Sequence, residues 1–403
     1  MGISFLTKNG SKYAKIKFNY TGTNYWERKY PSDLVTGRTK LAAGRVGNYA
    51  LFAGGDPDTD TVDIYNSNLT KFAPTSLSAA RRALGAATIG NYVLFAGGYS
   101  TNASHQDTVD AYNTSLVRST PASLSNARAA LSGASIGDYA LFAGGDNSNG
   151  VFDTVDAYNS NLVKTTLSRG LSEAKYHLAA SSNDNYAIFG GGYNPNYSYA
   201  FNSVDAYSAN LARTQLILNE SRADLGSARA GDYVLFYLGS NGNSYPQSIE
   251  AFDNNLTKTV VPSLASGRNN IGSASIDNIA VFVGGHTGNG YRNGVFICDG
   301  NLTLDELDVI PWYVEMAAGT NVGEYAIFGG GDRGNTMHSA TFAIRHHGEN
   351  INIHVFPGTK YKFSGMGTEQ TSGSYQKVNV TLPGYVKYKK GTVWEVELFS
   401  LTL

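Results

Sequence analysis

One cysteine, Cys298, stands in 403 residues. A lone thiol excludes a disulfide framework and a cysteine-built zinc cluster. Charge is also thin: Asp, Glu, Lys and Arg make up 16% of the chain, and 31 basic against 32 acidic residues leave a net charge of −1. No whole-molecule field draws such a chain to nucleic acid or to an anionic membrane, so neither is expected as a partner. Met1-Gly-Ile-Ser-Phe-Leu lacks the apolar stretch of a secretory signal, and no run elsewhere is long and apolar enough to cross a bilayer. The expectation is a chain with no signal peptide and no membrane insertion. It acts in the cytoplasm or, if it belongs to a virion, outside the cell.

Gly (46) and Tyr (27) are abundant, with many Asn and Ser, which is the composition of tight turns and strands. One phrase recurs seven times. Tyr49-Ala-Leu-Phe-Ala-Gly-Gly55 reappears in degenerate form from Tyr92, Tyr139, Tyr186, Tyr233, Ile279 and Tyr325, at spacings of 43, 47, 47, 47, 46 and 46 residues. A fixed period of this size marks stacked or radially arranged supersecondary units.

The third unit shows the pattern. Arg128 to Ile136 is a run of small residues suited to an inner strand. Tyr139 to Ala143 is a continuously apolar strand, Gly144-Gly145 ends it, Val155 to Tyr158 alternates as a third strand, and Leu162 to Thr165 begins an outer one. This order resembles the kelch-repeat β-propeller superfamily: a basic residue before the inner strand, hydrophobics ending in Gly-Gly, then a Tyr-ending strand and a hairpin. It covers about four fifths of the chain, and the outer-strand Trp usual in that family is mostly replaced here. The resemblance implies an all-β fold, a seven-bladed propeller of four-stranded blades over residues 26–344. Trp26 precedes Arg38 by the same 12 residues that separate Leu69 from Arg81, so an N-terminal strand at 26–30 is expected to complete the last blade. Closure of this kind removes a free sheet edge. Residues 345–403 leave the period and alternate as short strands around Pro-Gly turns, a small β appendage that residues 1–25 are expected to join. The ends resemble tail-associated modules of Gram-positive bacteria and their phages.

Two sets of residues are candidate sites. The loops after the Gly pairs vary in length and carry Tyr99, Asn102, Tyr193, Asn196, Tyr197, Tyr199, Tyr245 and Tyr291. These are flat amphipathic rings beside adaptable amides, suited to a sugar or a protein surface. The second set is Arg38, Arg81, Arg128, Lys175, Arg222 and Arg268, which share one register and are expected to ring the mouth of the axial channel. Asp63, Asp110, Asp156, Asp205 and Glu250 recur on the third strands, so structural pairing with these cations is the competing expectation. No histidine spacing gathers metal ligands, and neither metal nor cofactor nor catalytic residue is assigned. The reading is a non-catalytic recognition protein for a surface glycan or protein receptor, with oligomerisation through the appendage open to it. The alternatives are a kelch-type carbohydrate-active enzyme resembling a sialic-acid epimerase and an intracellular interaction scaffold. One architecture hosts all three.

Overall fold

A computed structural model describes side chains over residues 26–346, apart from 73–74, 197–199, 263–265, 308 and 335. Outside that span it describes backbone strands alone. Residues Arg28–Arg345 form one compact unit, and Met1–Glu27 with His346–Leu403 form another.

The first unit is a ring of seven four-stranded antiparallel sheets. In blade three the strands run Ser132–Ile136, Tyr139–Ala143, Val155–Asn159 and Lys164–Thr166 from axis to rim. Inner strands touch their neighbours all round, including Ala318–Val322 of blade seven with Ala42–Val46 of blade one. The second strands are apolar on both faces because each blade is covered by two others. Leu51 and Ile64 share a core with Phe95 and Tyr112 of the next blade, and Phe52 and Tyr65 share one with Ile327 and Ala343 of the last.

Blade seven has Ala318–Val322, Tyr325–Gly329 and Thr341–His347 as its inner strands, and Tyr25–Lys29 as its outermost. The chain's two ends therefore share one sheet, as the register of Trp26 implied. Thr341 Oγ1 donates to Pro31 O at 2.9 Å just past that strand. The ring is also sealed by backbone. Gly331 N donates to Arg38 O at 2.9 Å, as Gly55 N does to Arg81 O at 3.0 Å in blade one. The glycine before each of these must be bare: a Cβ on Gly54 (φ +65°) would lie 2.4 Å from Arg81 O, and one on Gly330 would lie 2.5 Å from Arg38 O. The Gly pair is thus the joint through which one blade accepts the lead-in of the next.

Two expected boundaries move. The outer strand of blade three starts at Lys164 rather than Leu162, because Leu162 is a turn residue at φ 61°, held where Asn159 Oδ1 accepts from Asn161 N and Val163 N. The inner strand starts at Ser132 rather than Arg128, because Ala129 bridges to Asp146 and Ala130 turns left-handed at φ 52°.

In the second unit, Gly2–Lys8 pairs with Ser11–Asn19, which pairs with Val393–Leu398, and Asn350–Val355 pairs with Gln376–Thr381, all antiparallel. The alternation expected at Tyr385 to Tyr388 lies outside the described residues. No helix among the described residues is long and apolar enough to cross a membrane.

Deleting residues 1–31 removes the outer strand of blade seven and exposes a sheet edge. We expect a lower melting temperature by calorimetry, and an unchanged one would contradict closure by this strand.

Candidate functional site

The six register-matched cations do not line the channel. Their side chains are buried inside the blades, and none of them borders the axial cavity. Arg38, Arg81 and Arg128 reach Asp63, Asp110 and Asp156 at 2.7, 2.7 and 3.0 Å. Lys175 reaches Asp205 at 3.3 Å, and Arg222 pairs with Glu250. Each carboxylate also accepts a backbone N–H from the lead-in of its own blade, at Val35, Ser78, Ser125, Ser172 and Asn219. Burial pulls the Arg128, Lys175 and Arg222 cations toward lower pKa, and the apposed carboxylates hold them up. The pattern decays toward the closing blades. In blade six the acid's place is taken by Phe296, and the Arg268 guanidinium sits 4.6 Å over that ring. In blade seven Val314 and Phe342 replace both partners. The expected ring at the channel mouth is corrected to a set of internal braces, made by the structural pairing with third-strand carboxylates that was the other expectation.

What faces the axis lies two residues further on. Lys40, Ala83, Ala130, His177, Asp224, Asn270 and Met316, one per blade, all sit at φ between 51° and 54°. Their backbones link in series around the axis: Ala83 N to Lys40 O, Ala130 N to Ala83 O, His177 N to Ala130 O, Asp224 N to His177 O, Asn270 N to Asp224 O and Met316 N to Asn270 O, at 2.8–3.1 Å. Beside this belt lies an aliphatic collar from the next position in each blade, including Leu41, Leu84, Leu131, Leu178, Leu225 and Ile271. Together they line a cavity of about 430 Å³. One arc, His177, Asp224 and Asn270, is polar, the preceding Ala83 and Ala130 are apolar, and Lys40 places a charge beside Ala83.

The loops complete the wall. Tyr99 lies in a short hairpin, Tyr99–Ser100 with Ser104–His105, and borders the cavity with His105 edge-on at 5.1 Å. The Arg82 guanidinium covers the Tyr99 ring at 4.9 Å and is tied to Asp56 and Asp58 at 3.1 and 3.0 Å. His177 Nδ1 and Asp224 Oδ1 form a close hydrogen bond. Burial alone would lower the His177 pKa, but the Asp224 carboxylate, with Asp146 beyond it, raises it overall. Asp146 is itself shifted up by burial, with His105 and His177 pulling it back.

The other loop residues fall into separate groups on the same face. Tyr193 packs edge-on against Tyr176 at 5.6 Å, away from the cavity lining. Asn102 is exposed at its hairpin tip, and Asn196 borders a second groove, of about 690 Å³, with Asp153 and Glu173. Tyr245 and Tyr291 flank His286 at 6.5 and 5.0 Å. The side chains of Tyr197 and Tyr199 lie outside the described residues. Of the expected aromatics, Tyr99 alone is placed at the cavity.

Sequence reasoning missed the axial belt. Its signal is present: the residue after each belt position is almost always Leu, while the belt position itself reads Lys, Ala, Ala, His, Asp, Asn, Met. Cys298 is fully buried, with burial pushing its thiol up to about 12, which fits a packing role.

No protein-family model and no curated protein matches the chain. Many solved structures do, 508 chains in number, so the architecture alone does not select a function. One, described as "Structure of YjhT", superposes with a TM-score of 0.57 at 13% identity, covering 69% of this chain and 99% of that one. At that identity the likeness shows the fold, a β-propeller.

Two predictions follow from this geometry. Arg128→Ala strands the buried Asp156 carboxylate and should cost about 3–5 kcal/mol, read as a lower urea midpoint. A shift under about 0.5 kcal/mol would refute the brace. For His177, whose folded pKa lies above its unfolded value, the pairing stabilises the fold below the unfolded pKa of about 6.5. That contribution fades as pH rises through the folded value. An NMR titration should show the His177 pKa fall in Asp224→Asn, and an unmoved pKa would show that the carboxylate is not its cause.

Proposed function

We propose that this is a non-catalytic recognition protein, holding a cell-surface carbohydrate or another surface receptor on the face that bears the variable loops. The observation that carries this reading is the axial cavity, whose polar arc and aliphatic collar are joined at the wall by Tyr99. Sugars present hydroxyls on their edges and C–H groups on their faces, and a cavity divided in this way meets both. The hairpins around it add Tyr193, Tyr245 and Tyr291 at its periphery. On this reading Asn102, Asn196, Tyr197 and Tyr199 supply further contacts from the hairpin tips.

The kelch-type repeat fits this role without requiring it. We assign residues 345–403, with 1–25, to attachment or assembly, including oligomerisation, as in a tail-associated protein of a phage. That placement would put the loop face outside the cell.

A carbohydrate-active enzyme is the second reading, favoured by one observation. Burial and the neighbouring Glu315 raise the Asp332 carboxyl to about 6, the behaviour of two close carboxylates that resist ionising together.

The test is an array of surface glycans probed with the purified protein, followed by Tyr99→Ala and His177→Ala. Binding should fall at least about tenfold in each, as for loss of a stacking or charged contact, with circular dichroism unchanged. Binding that survives both changes would move the site off the cavity, and turnover of a bound sugar would favour the enzyme.

A further inference from the structure

The axial cavity's charged groups are satisfied unequally. Arg82 is held by Asp56 and Asp58, Lys40 lies 3.9 Å from Asp56, and His177 is bonded to Asp224. Arg82, Lys40 and His177 therefore each have a carboxylate partner, Asp56 being shared by the first two. Asp146 differs. It borders the same cavity, half-buried, and among the described residues no other side chain hydrogen-bonds or ion-pairs with its carboxyl group, which is bonded to its own backbone N–H and feels His105 and His177 only through space.

The loop backbone fixes where this carboxylate stands. Asp146 N and O exchange hydrogen bonds with Ala129 at 3.0 and 2.9 Å, at the foot of a hairpin formed by Asp146–Asn147 and Gly150–Val151. The equivalent bridge recurs in every blade, with Asp56, Tyr99, Tyr193, Ser240, His286 and Asp332 at the matching position. Of these, Tyr99 and Asp146 border the cavity, and Asp146 is the one that brings a carboxylate to it. A partly desolvated carboxylate with no charged group bonded to it is poorly compensated, and a cationic donor entering the cavity supplies the missing hydrogen bond. Below it, the aliphatic collar offers an apolar floor rather than further hydrogen bonds.

Building on the carbohydrate reading above, we propose that the axial cavity selects an amino sugar with a free ammonium group. The ammonium faces Asp146, the hydroxyls face the arc of His177, Asp224 and Asn270, and the C–H face of the ring rests on the Leu collar. Neutral and N-acetylated sugars lack the charge and leave Asp146 unpaired. Burial raises the Asp146 pKa, and an ammonium facing the carboxylate acts in the opposite direction by favouring its ionised form.

Glucosamine and galactosamine, set against glucose, galactose and N-acetylglucosamine, test this by calorimetric titration of the full chain. The amino sugars should bind about tenfold more tightly or better, the worth of one charge-assisted hydrogen bond. Asp146→Asn should erase that preference, bringing glucosamine to the affinity of glucose in the same variant, with the melting temperature as the folding control. Equal affinity for glucose and glucosamine would overturn the ammonium assignment and leave the sugar-binding reading standing. If no sugar of either set bound, both would fall. An amino-sugar preference that persisted in Asp146→Asn would place the anionic partner elsewhere and overturn the role of Asp146.

Discussion

The buried pair between a lead-in cation and a third-strand carboxylate is the constraint on which the repeat depends. In five blades it ties the segment approaching the axis, the third strand and the outer strand to a single point, and in blades one to three it also holds a carbonyl of the second strand. Asp63 shows the full set, bonded to Arg38, to Val35 N and to Lys71 at 2.8 Å. Removing such charges from water is expensive, and the expense is offset here because nearly every acceptor lone pair is used. A carboxylate with three donors cannot shift without losing several of them, so the lead-in arrives at the axis in a fixed position.

That fixed arrival is what makes the cavity. Two residues beyond the lead-in position the chain turns left-handed in every blade, and in six of them its amide bonds to the preceding blade's carbonyl. The belt's backbone is thus specified by the brace and by its neighbours, whereas its side chains border the cavity and are held there, where they bond at all, by neighbouring polar residues, as His177 is by Asp224 and Asn270 by Glu315. Position by position they vary in size and charge. A scaffold that determines backbone and leaves side-chain identity free to vary is the usual setting for a binding site. The last two blades bear this out from the other direction. Arg268 on Phe296, and Val314 beside Phe342, keep the same backbone path with a cation–π contact or simple apolar packing in place of the ion pair.

Much of this was legible in the chain. The seven Gly-ended phrases, the period and the 12-residue offset of Trp26 specify blade number and closure, because each reports a local requirement: burial on both faces, a bare Cα against a carbonyl, an unpaired edge. The pairing of Arg128 with Asp156 was legible as covariation in register, but its location was not, since a basic residue before an inner strand reads equally as a channel lining. Burial resolves it: a guanidinium with access to two carbonyls and a carboxylate turns into the blade. The belt was harder. A left-handed conformation at Lys40, Ala83 or Met316 has no sequence signature, as none of these is Gly or Asn, and the conformation is imposed by contacts between blades rather than by propensity. Tyr193, Tyr245 and Tyr291 share the composition of Tyr99 yet stand apart from the cavity, because hairpin length and the partner across the bridge, not residue type, decide where a loop aromatic points.

The central claim is that recognition is centred on the axial cavity. Ala130→Trp tests it most directly, because this belt position is apolar, faces the cavity and, as His177 and Met316 show at its equivalents, accepts a larger side chain at the same φ. Binding of the variant to arrayed glycans, compared with the unaltered protein at equal melting temperature, is the measurement. The account predicts that filling the cavity abolishes binding while the propeller stays folded; binding at the unaltered level would contradict it.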